Sequence, residues 1–254
     1  MAENKLTAEA MNSHDATLLR DLDDALANCM KCGNCQAGCP IYRETKKEFS
    51  VARGKISLMQ AVLSGKLPIS AEFDSIMAAC LNCKTCSANC PCGVQADELI
   101  LRARHAAIQA RGLHPVKKTV FKLLSNRPLF NTVLRMGGMF GWLTFKDVPD
   151  KNAVLSRFPA PGMDPNRATA PLASTPLRSQ YPEVIKVPNA KHRVAFFTGC
   201  TINFMYTDMG QAVIEVLKEN GNEIVIPGKQ HCCGTPVHVS GAFEMANEMA
   251  KHNI

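Results

Sequence analysis

Apolar residues recur at helical spacing through the first part of the chain. Ile56, Met59, Val62 and Leu63 form one stripe, closed by Gly65 and Pro68, and that spacing predicts an amphipathic helix with one buried face. Ser70 stands where an N-cap is needed, with Glu72 and Asp74 in the turn that follows, so a second short helix is expected there. A third stripe of Leu99, Ile100, Ala103, Ala106, Ala107 and Ala110 runs up to Gly112. No alternation of period two precedes that glycine, and residues 1–112 read as a helical domain.

Beyond Gly112 the pattern changes twice. Two basic amphipathic stretches, Val116 to Leu124 and Leu129 to Phe145, fill residues 113–146, the second broken by Gly137 and Gly138. Eight of the fifteen prolines then fall between Pro149 and Pro188. That density suits neither a helix nor a central strand, so 147–190 is expected to be an extended linker. From 191 to 254 the chain reads as the opening of an α/β unit. Val194 to Phe197 is an apolar run, Ala212, Val213, Val216 and Leu217 mark a helix that stops at Asn220 and Gly221, and Glu223 to Ile226 follows as a second strand. The fold class is therefore mainly α, a helical domain followed by the start of an α/β domain.

Composition narrows the class further. A chain of 254 residues with 46% hydrophobic and 20% charged residues is a folded one. Its apolar stretches are broken by Lys or Arg well short of a span, and Met1 to Asp24 is polar, which predicts neither a membrane helix nor a secretory signal. A cytoplasmic location follows. The net charge of +7 is uneven, because Leu99 to Lys146 holds nine Lys or Arg and no Asp or Glu. Two readings of that segment stand. Phe121, Leu124, Leu129, Phe130, Met139, Phe140 and Trp142 are the apolar face of a surface that rests on the inner face of the cell membrane, or they pack on the helical domain and leave the cations solvated.

Twelve Cys in a chain without a signal peptide point to metal ligation, since cytosolic thiols are kept reduced. Cys29, Cys32, Cys35, Cys39 and Pro40 recur 51 positions later as Cys80, Cys83, Cys86, Cys90 and Pro91. The spacing Cys-x2-Cys-x2-Cys-x3-Cys-Pro is the bacterial ferredoxin pattern for 4Fe-4S ligation, and two copies predict two 4Fe-4S clusters. Three thiolates on one short loop reach three corners of a cube, while the fourth, displaced by an extra residue and a proline, points to the other cluster. Cys29, Cys32 and Cys35 with Cys90 are thus assigned to one cluster, and Cys80, Cys83 and Cys86 with Cys39 to the second. Structural zinc is the competing reading, but it is usually built from two separated pairs and leaves the third Cys and the trailing Pro without a role. Nucleic acid, which only that zinc reading would bring to the basic segment, is not an expected partner. Cys92 is surplus and reads as a free thiol. Cys200, Cys232 and Cys233 stand between two readings, ligands of a further cluster or buried thiols. Lys31, Arg53, Lys55 and Lys84 lie near the runs as candidates for tuning a potential, although long cations ordinarily stay solvated.

The paired runs, the segment Arg53-Gly54-Lys55-Ile56, and Cys200 followed by Cys232-Cys233-Gly234 resemble the iron-sulfur subunits of bacterial glycolate oxidase. The resemblance extends to lactate dehydrogenase iron-sulfur subunits, the C subunit of anaerobic glycerol-3-phosphate dehydrogenase and the D subunit of heterodisulfide reductase, and it covers nearly the whole chain. It implies an α-helical ferredoxin domain followed by cysteine-rich CCG domains, each pairing an early Cys and a Cys-Cys-Gly with a later Cys-x2-Cys. Ile254 lies twenty residues past Gly234, before any such pair, so a piece of a longer subunit is expected, and a further cluster requires the complete domain. The function implied is electron transfer from an FAD-containing dehydrogenase subunit that oxidises glycolate or lactate, toward quinone or another carrier. A heterodisulfide reductase-like or anaerobic glycerol-3-phosphate dehydrogenase-like subunit is the alternative. No acid/base pair, activated nucleophile, Gly-x-Gly-x-x-Gly or Walker pattern stands out, so the flavin is expected on the partner and catalysis outside this chain.

Overall fold

The computed structural model describes residues 14–148, 153–157 and 168–254. They divide into two compact units. The first comprises the described residues up to Lys118 together with Thr235–Asn247.

Helices Ala52–Leu63, Ala71–Ala78 and Ala96–Arg111 frame the first unit, and no strand occurs among its described residues. The stripe of Ile56, Met59 and Val62 is buried against Leu19, Leu26, Phe73, Met77, Ile100 and Ala103 in one apolar cluster, which is what the helical spacing requires. Ser70 caps the second of these helices, its hydroxyl accepting the Phe73 N–H at 3.1 Å. Gly112, at φ 78°, ends the third. Gly54 has a separate task. A Cβ there would sit 2.3 Å from the Glu48 carbonyl oxygen, so only glycine lets the turn Glu48–Ser50 lie against the start of the helix. The later segment joins through backbone. Gly241, at φ 89°, presses on the backbone of Arg104 and His105, and its carbonyl is 2.8 Å from His105 Nδ1.

The second unit, 119–234 with 248–254, carries a three-stranded sheet. Asn222–Val225 is central, parallel to His192–Ala195 with Val194 opposite Ile224, and antiparallel to Val184–Ile185. The helix Thr207–Glu219 packs on it through Ile214, and Leu177, Ile224 and Ile226 complete the apolar cluster. The segment expected as an extended linker contributes to this unit in its described part. It supplies the strand Val154–Ser156, paired with Phe145–Asp147, the turn Leu177–Gln180 and the edge strand Val184–Ile185. Its described prolines, Pro171, Pro176, Pro182 and Pro188, lie outside the strands, where no ladder N–H is needed, and Leu177 is fully buried because Gly210 leaves room for it.

Gly137 and Gly138 do not break their helix, which runs from Arg127 to Met139. A Cβ on Gly138 would lie 2.4 Å from the Ala173 carbonyl oxygen, so the glycines admit a neighbouring strand of backbone rather than end the helix. The apolar residues of the basic segment from Phe121 onward belong to the second unit, and no contact of theirs with the helical domain is among those described. Phe121 is buried and Phe130 meets Phe204 edge-on at 6.1 Å, whereas Leu129, Met139, Phe140 and Trp142 are exposed. Among the described residues no helix is long and apolar enough to cross a membrane.

Candidate functional site

Each cysteine run folds in the same way, as a loop leading into a single helical turn, Asn34–Ala37 in the first and Thr85–Ala88 in the second. Lys31 and Gly33 in one loop, and Asn82 and Lys84 at the matching places in the other, have φ of 59°, 86°, 53° and 64°. Left-handed backbone at these points coils a short loop and turns N–H groups toward its centre. Asn82 N–H donates to Cys80 Sγ at 3.4 Å, and Val94 N–H to Cys90 Sγ at the same distance. The internal repeat thus extends from residue identity to backbone conformation.

The two runs face each other. Asn34 Nδ2 donates to the Asn89 carbonyl at 2.7 Å, and a Cβ on Gly38 would come within 2.6 Å of Thr85 Cγ2. This approach brings the last cysteine of each run beside the other run. Cys39 lines a cavity with Cys80, Cys83 and Cys86, walled by Ile41, Ala52 and Ile100 and bordered by Lys55 and Asp97. Cys90 lines a second cavity with Cys29, Cys32 and Cys35, walled by Ala52, Ile56 and Val94, and Cys86 borders this one too. Cys92 is exposed and lines neither.

The donor chemistry fits a cluster. Among the described residues no three His, Cys, Asp or Glu side chains converge on a point that would hold one metal ion. The four sulfurs of each set ring a cavity instead. A tetrahedral zinc needs all four at about 2.3 Å from one point, while a cubane offers separated corners to separated thiolates. Burial pushes the Cys35 thiol up and the Cys86 thiol up to about 11, whereas a hydrogen bond with Thr85 holds the exposed Cys83 thiol below its ordinary value. Ligation at the buried thiols therefore releases protons, and affinity rises with pH.

Two cations near the runs are not where their residue type suggests. Lys55 is 1% exposed and Arg104 is 7% exposed, against the ordinary solvated state expected of Lys55 and of the basic segment. Lys55 Nζ donates to the Ser50 carbonyl at 2.7 Å. Arg104 donates through Nε and Nη2 to the Met77 carbonyl at 3.0 and 2.9 Å, through Nη2 also to those of Ala78 and Cys80, and through Nη1 to that of Val239. Helical position carried a signal for both. Lys55 lies on the stripe of Ala52, Ile56 and Met59, and Arg104 on that of Ile100, Ala103 and Ala107. Lys31 and Lys84 are exposed, and Arg53 is partly so, its Nε on Glu48 at 2.6 Å.

In the second unit, Cys200 and Cys232 line one cavity with Arg127 and Arg178. Gln230 makes the link, accepting the Thr198 N–H at 2.9 Å and donating to the Phe196 carbonyl at 2.9 Å, which ties the end of one strand to the loop before Cys232. A hydrogen bond from Cys232 holds the Cys200 thiol down to about 6, and the same bond pushes the Cys232 thiol up. Cys233 is exposed.

Residues 25–94 match the family model of a 4Fe-4S dicluster domain, and residues 194–254 that of a cysteine-rich domain. The chain joins a 4Fe-4S dicluster domain to a cysteine-rich domain. Over 236 residues it is 29% identical to the probable glycolate oxidase iron-sulfur subunit of Bacillus subtilis, covering 90% of this chain and 53% of that relative. The glycolate oxidase iron-sulfur subunit of Escherichia coli is 25% identical over 240 residues, with 92% and 53% covered. The C subunit of the anaerobic glycerol-3-phosphate dehydrogenase of Escherichia coli is 28% identical over 244 residues, with 91% and 56% covered. The chain is thus a homologue of iron-sulfur subunits and spans about half the length of these relatives. No solved structure matches it.

Proposed function

We propose that this dicluster chain is the electron-transfer part of a flavin-linked 2-hydroxy acid dehydrogenase, with glycolate or lactate as the substrate of its partner subunit. Cys29, Cys32, Cys35 and Cys90 hold one 4Fe-4S cluster, and Cys39, Cys80, Cys83 and Cys86 hold the other. The observation that carries this reading is the lining of the two cavities, in each of which the three leading thiols of one run meet the last thiol of its twin, with Cys86 bordering the second cavity as well. Bound clusters supply one-electron exchange without binding substrate. The residues of the chain bind and orient them. Left-handed Asn82 aims its N–H at Cys80 Sγ, apolar side chains wall both cavities, and the Asn34 to Asn89 hydrogen bond holds the runs together. The relatives named as glycolate oxidase subunits support the substrate class and a partner subunit, and FAD on that partner is what the family resemblance implies. Protein purified without oxygen is expected to carry about eight irons with matching acid-labile sulfide, and to show a paramagnetic signal after dithionite. Colourless protein with zinc in place of iron overturns the reading.

Exposed apolar side chains favour a membrane-surface contact as part of the same function, with quinone as the onward carrier. Leu129, Val133, Met136, Phe140 and Leu143 follow helical spacing along one side and are all exposed, and Trp142 beside them is 68% exposed. Lys122, Arg127, Arg135 and Lys146 flank them, with no acidic residue between. An interfacial helix on anionic lipid has this composition. The protein should float with vesicles containing phosphatidylglycerol and remain behind with purely zwitterionic ones. Equal behaviour with both lipids removes the membrane contact from the proposal.

A further inference from the structure

The two cysteine cavities differ in charge. Lys55 lines the cavity of Cys39, Cys80, Cys83 and Cys86, is almost wholly buried, and has only carbonyl oxygens as hydrogen-bond acceptors, those of Ser50 at 2.7 Å and Phe49 at 3.4 Å. Arg104, also buried, donates to the carbonyl of Cys80 behind it. Asp97, which borders the same cavity, is taken up by the Ser87 hydroxyl and by Lys84 Nζ at 3.7 Å. At the twin cavity the cations are Lys31, which is exposed, and Arg53, partly solvated and paired with Glu48. One cavity therefore borders a buried cation that is in no ion pair, and the other borders cations that are solvent-exposed or paired.

We propose that Lys55, backed by Arg104, raises the reduction potential of the cluster held by Cys39, Cys80, Cys83 and Cys86 above that of its twin, and so fixes where an electron rests within the pair. The proposal rests on the reading that both cavities hold 4Fe-4S clusters. Reduction adds one electron and one negative charge to a group that is already anionic, so a fixed cation beside it favours the reduced form. In a medium of effective dielectric about 20, a unit charge within about 12 Å changes that equilibrium by about tenfold or more. Lys55 acts here as a positioning charge. It ligates nothing and takes up no electron.

The test is a potentiometric titration followed by paramagnetic resonance, with dithionite as reductant, on the whole chain and its K55Q and K55R variants. Glutamine keeps an N–H donor for the Ser50 carbonyl and removes the charge, while arginine keeps the charge. In K55Q the higher of the two couples should fall by about 59 mV, a tenfold change for one electron, and the lower couple should stay. In K55R both couples should stay near their original values. K55Q with its irons intact and both couples unmoved, or with only the lower couple moved, overturns the proposal. Loss of iron in K55Q but not in K55R shows that the charge is needed to hold the cluster and overturns a role confined to its potential. Loss of iron in both variants shows a steric role and overturns it. Wild-type protein without about eight irons fails the cluster reading itself, before any variant is compared.

Discussion

Replacing Cys39 with alanine should remove the cluster that belongs to the other run and leave the cluster of its own run in place. The reason is geometric. Cys39 follows the helical turn Asn34–Ala37 and precedes Pro40, and it borders the cavity of Cys80, Cys83 and Cys86 rather than that of Cys29, Cys32 and Cys35. Pairs of substitutions make the test decisive, because two losses at one cluster are not additive and losses at two clusters are. C39A combined with C83A should keep one intact 4Fe-4S signal, about as strong as that of C39A alone. C39A combined with C32A should damage both clusters, with iron falling well below about four per chain. The reverse pattern, one signal kept in C39A/C32A and none in C39A/C83A, would show that each run ligates its own cluster. Cys92→Ala should leave the iron count unchanged, since that thiol is exposed and borders neither cavity.

Removing the Arg104 side chain should destabilise the first unit by roughly 3–5 kcal/mol, more than a surface cation of the basic segment could account for. The guanidinium collects the carbonyls of Met77, Ala78 and Cys80 where the helix Ala71–Ala78 ends and the second cysteine loop begins. Four C-terminal carbonyls of any helix lack intrahelical partners, and here a side chain from the helix Ala96–Arg111 supplies the donors. Arg104→Ala leaves those carbonyls inside the fold without donors. Burial already pulls the guanidinium pKa down, with the Cys80 thiolate opposing, yet arginine remains protonated under any working condition. R104K should recover less than half of the loss, since an ammonium on a flexible stem cannot replace the planar fork. Anaerobic urea titration read by helical circular dichroism, with iron retention measured in parallel, checks both expectations. An R104A midpoint within error of the wild type would show that water or neighbouring N–H groups satisfy those carbonyls.

Much of the fold was legible in local patterns. The stripe of Ile56, Met59 and Val62 and the cap at Ser70 lie where helical spacing and side-chain chemistry put them. The strands at His192–Ala195 and Asn222–Val225 and the helix between them fall within a residue or two of the apolar runs. The third strand, Val184–Ile185, was hidden because two residues among prolines carry no period. The continuity of the helix through Gly137 and Gly138 was hidden too, because glycine ordinarily weakens a helix, and its use there, the approach of Ala173, is a contact with residues far along the chain. The burial of Lys55 and Arg104 was obscured by residue type, although their helical positions pointed inward.

By itself the sequence determined the kind of chemistry: thiols at i, i+3, i+6 and i+10, twice, ahead of a proline, on a chain with helical periodicity between and after them. Donor type and spacing are local properties, and a short loop reaches only certain metal groups. Tertiary structure alone decided which thiols share a cavity wall, which carbonyls Arg104 holds, and that Lys55 is shut away from solvent. Each of these depends on residues tens of positions apart meeting as helices pack, and the cost of placing a charge there is set by what surrounds it rather than by its neighbours in the chain.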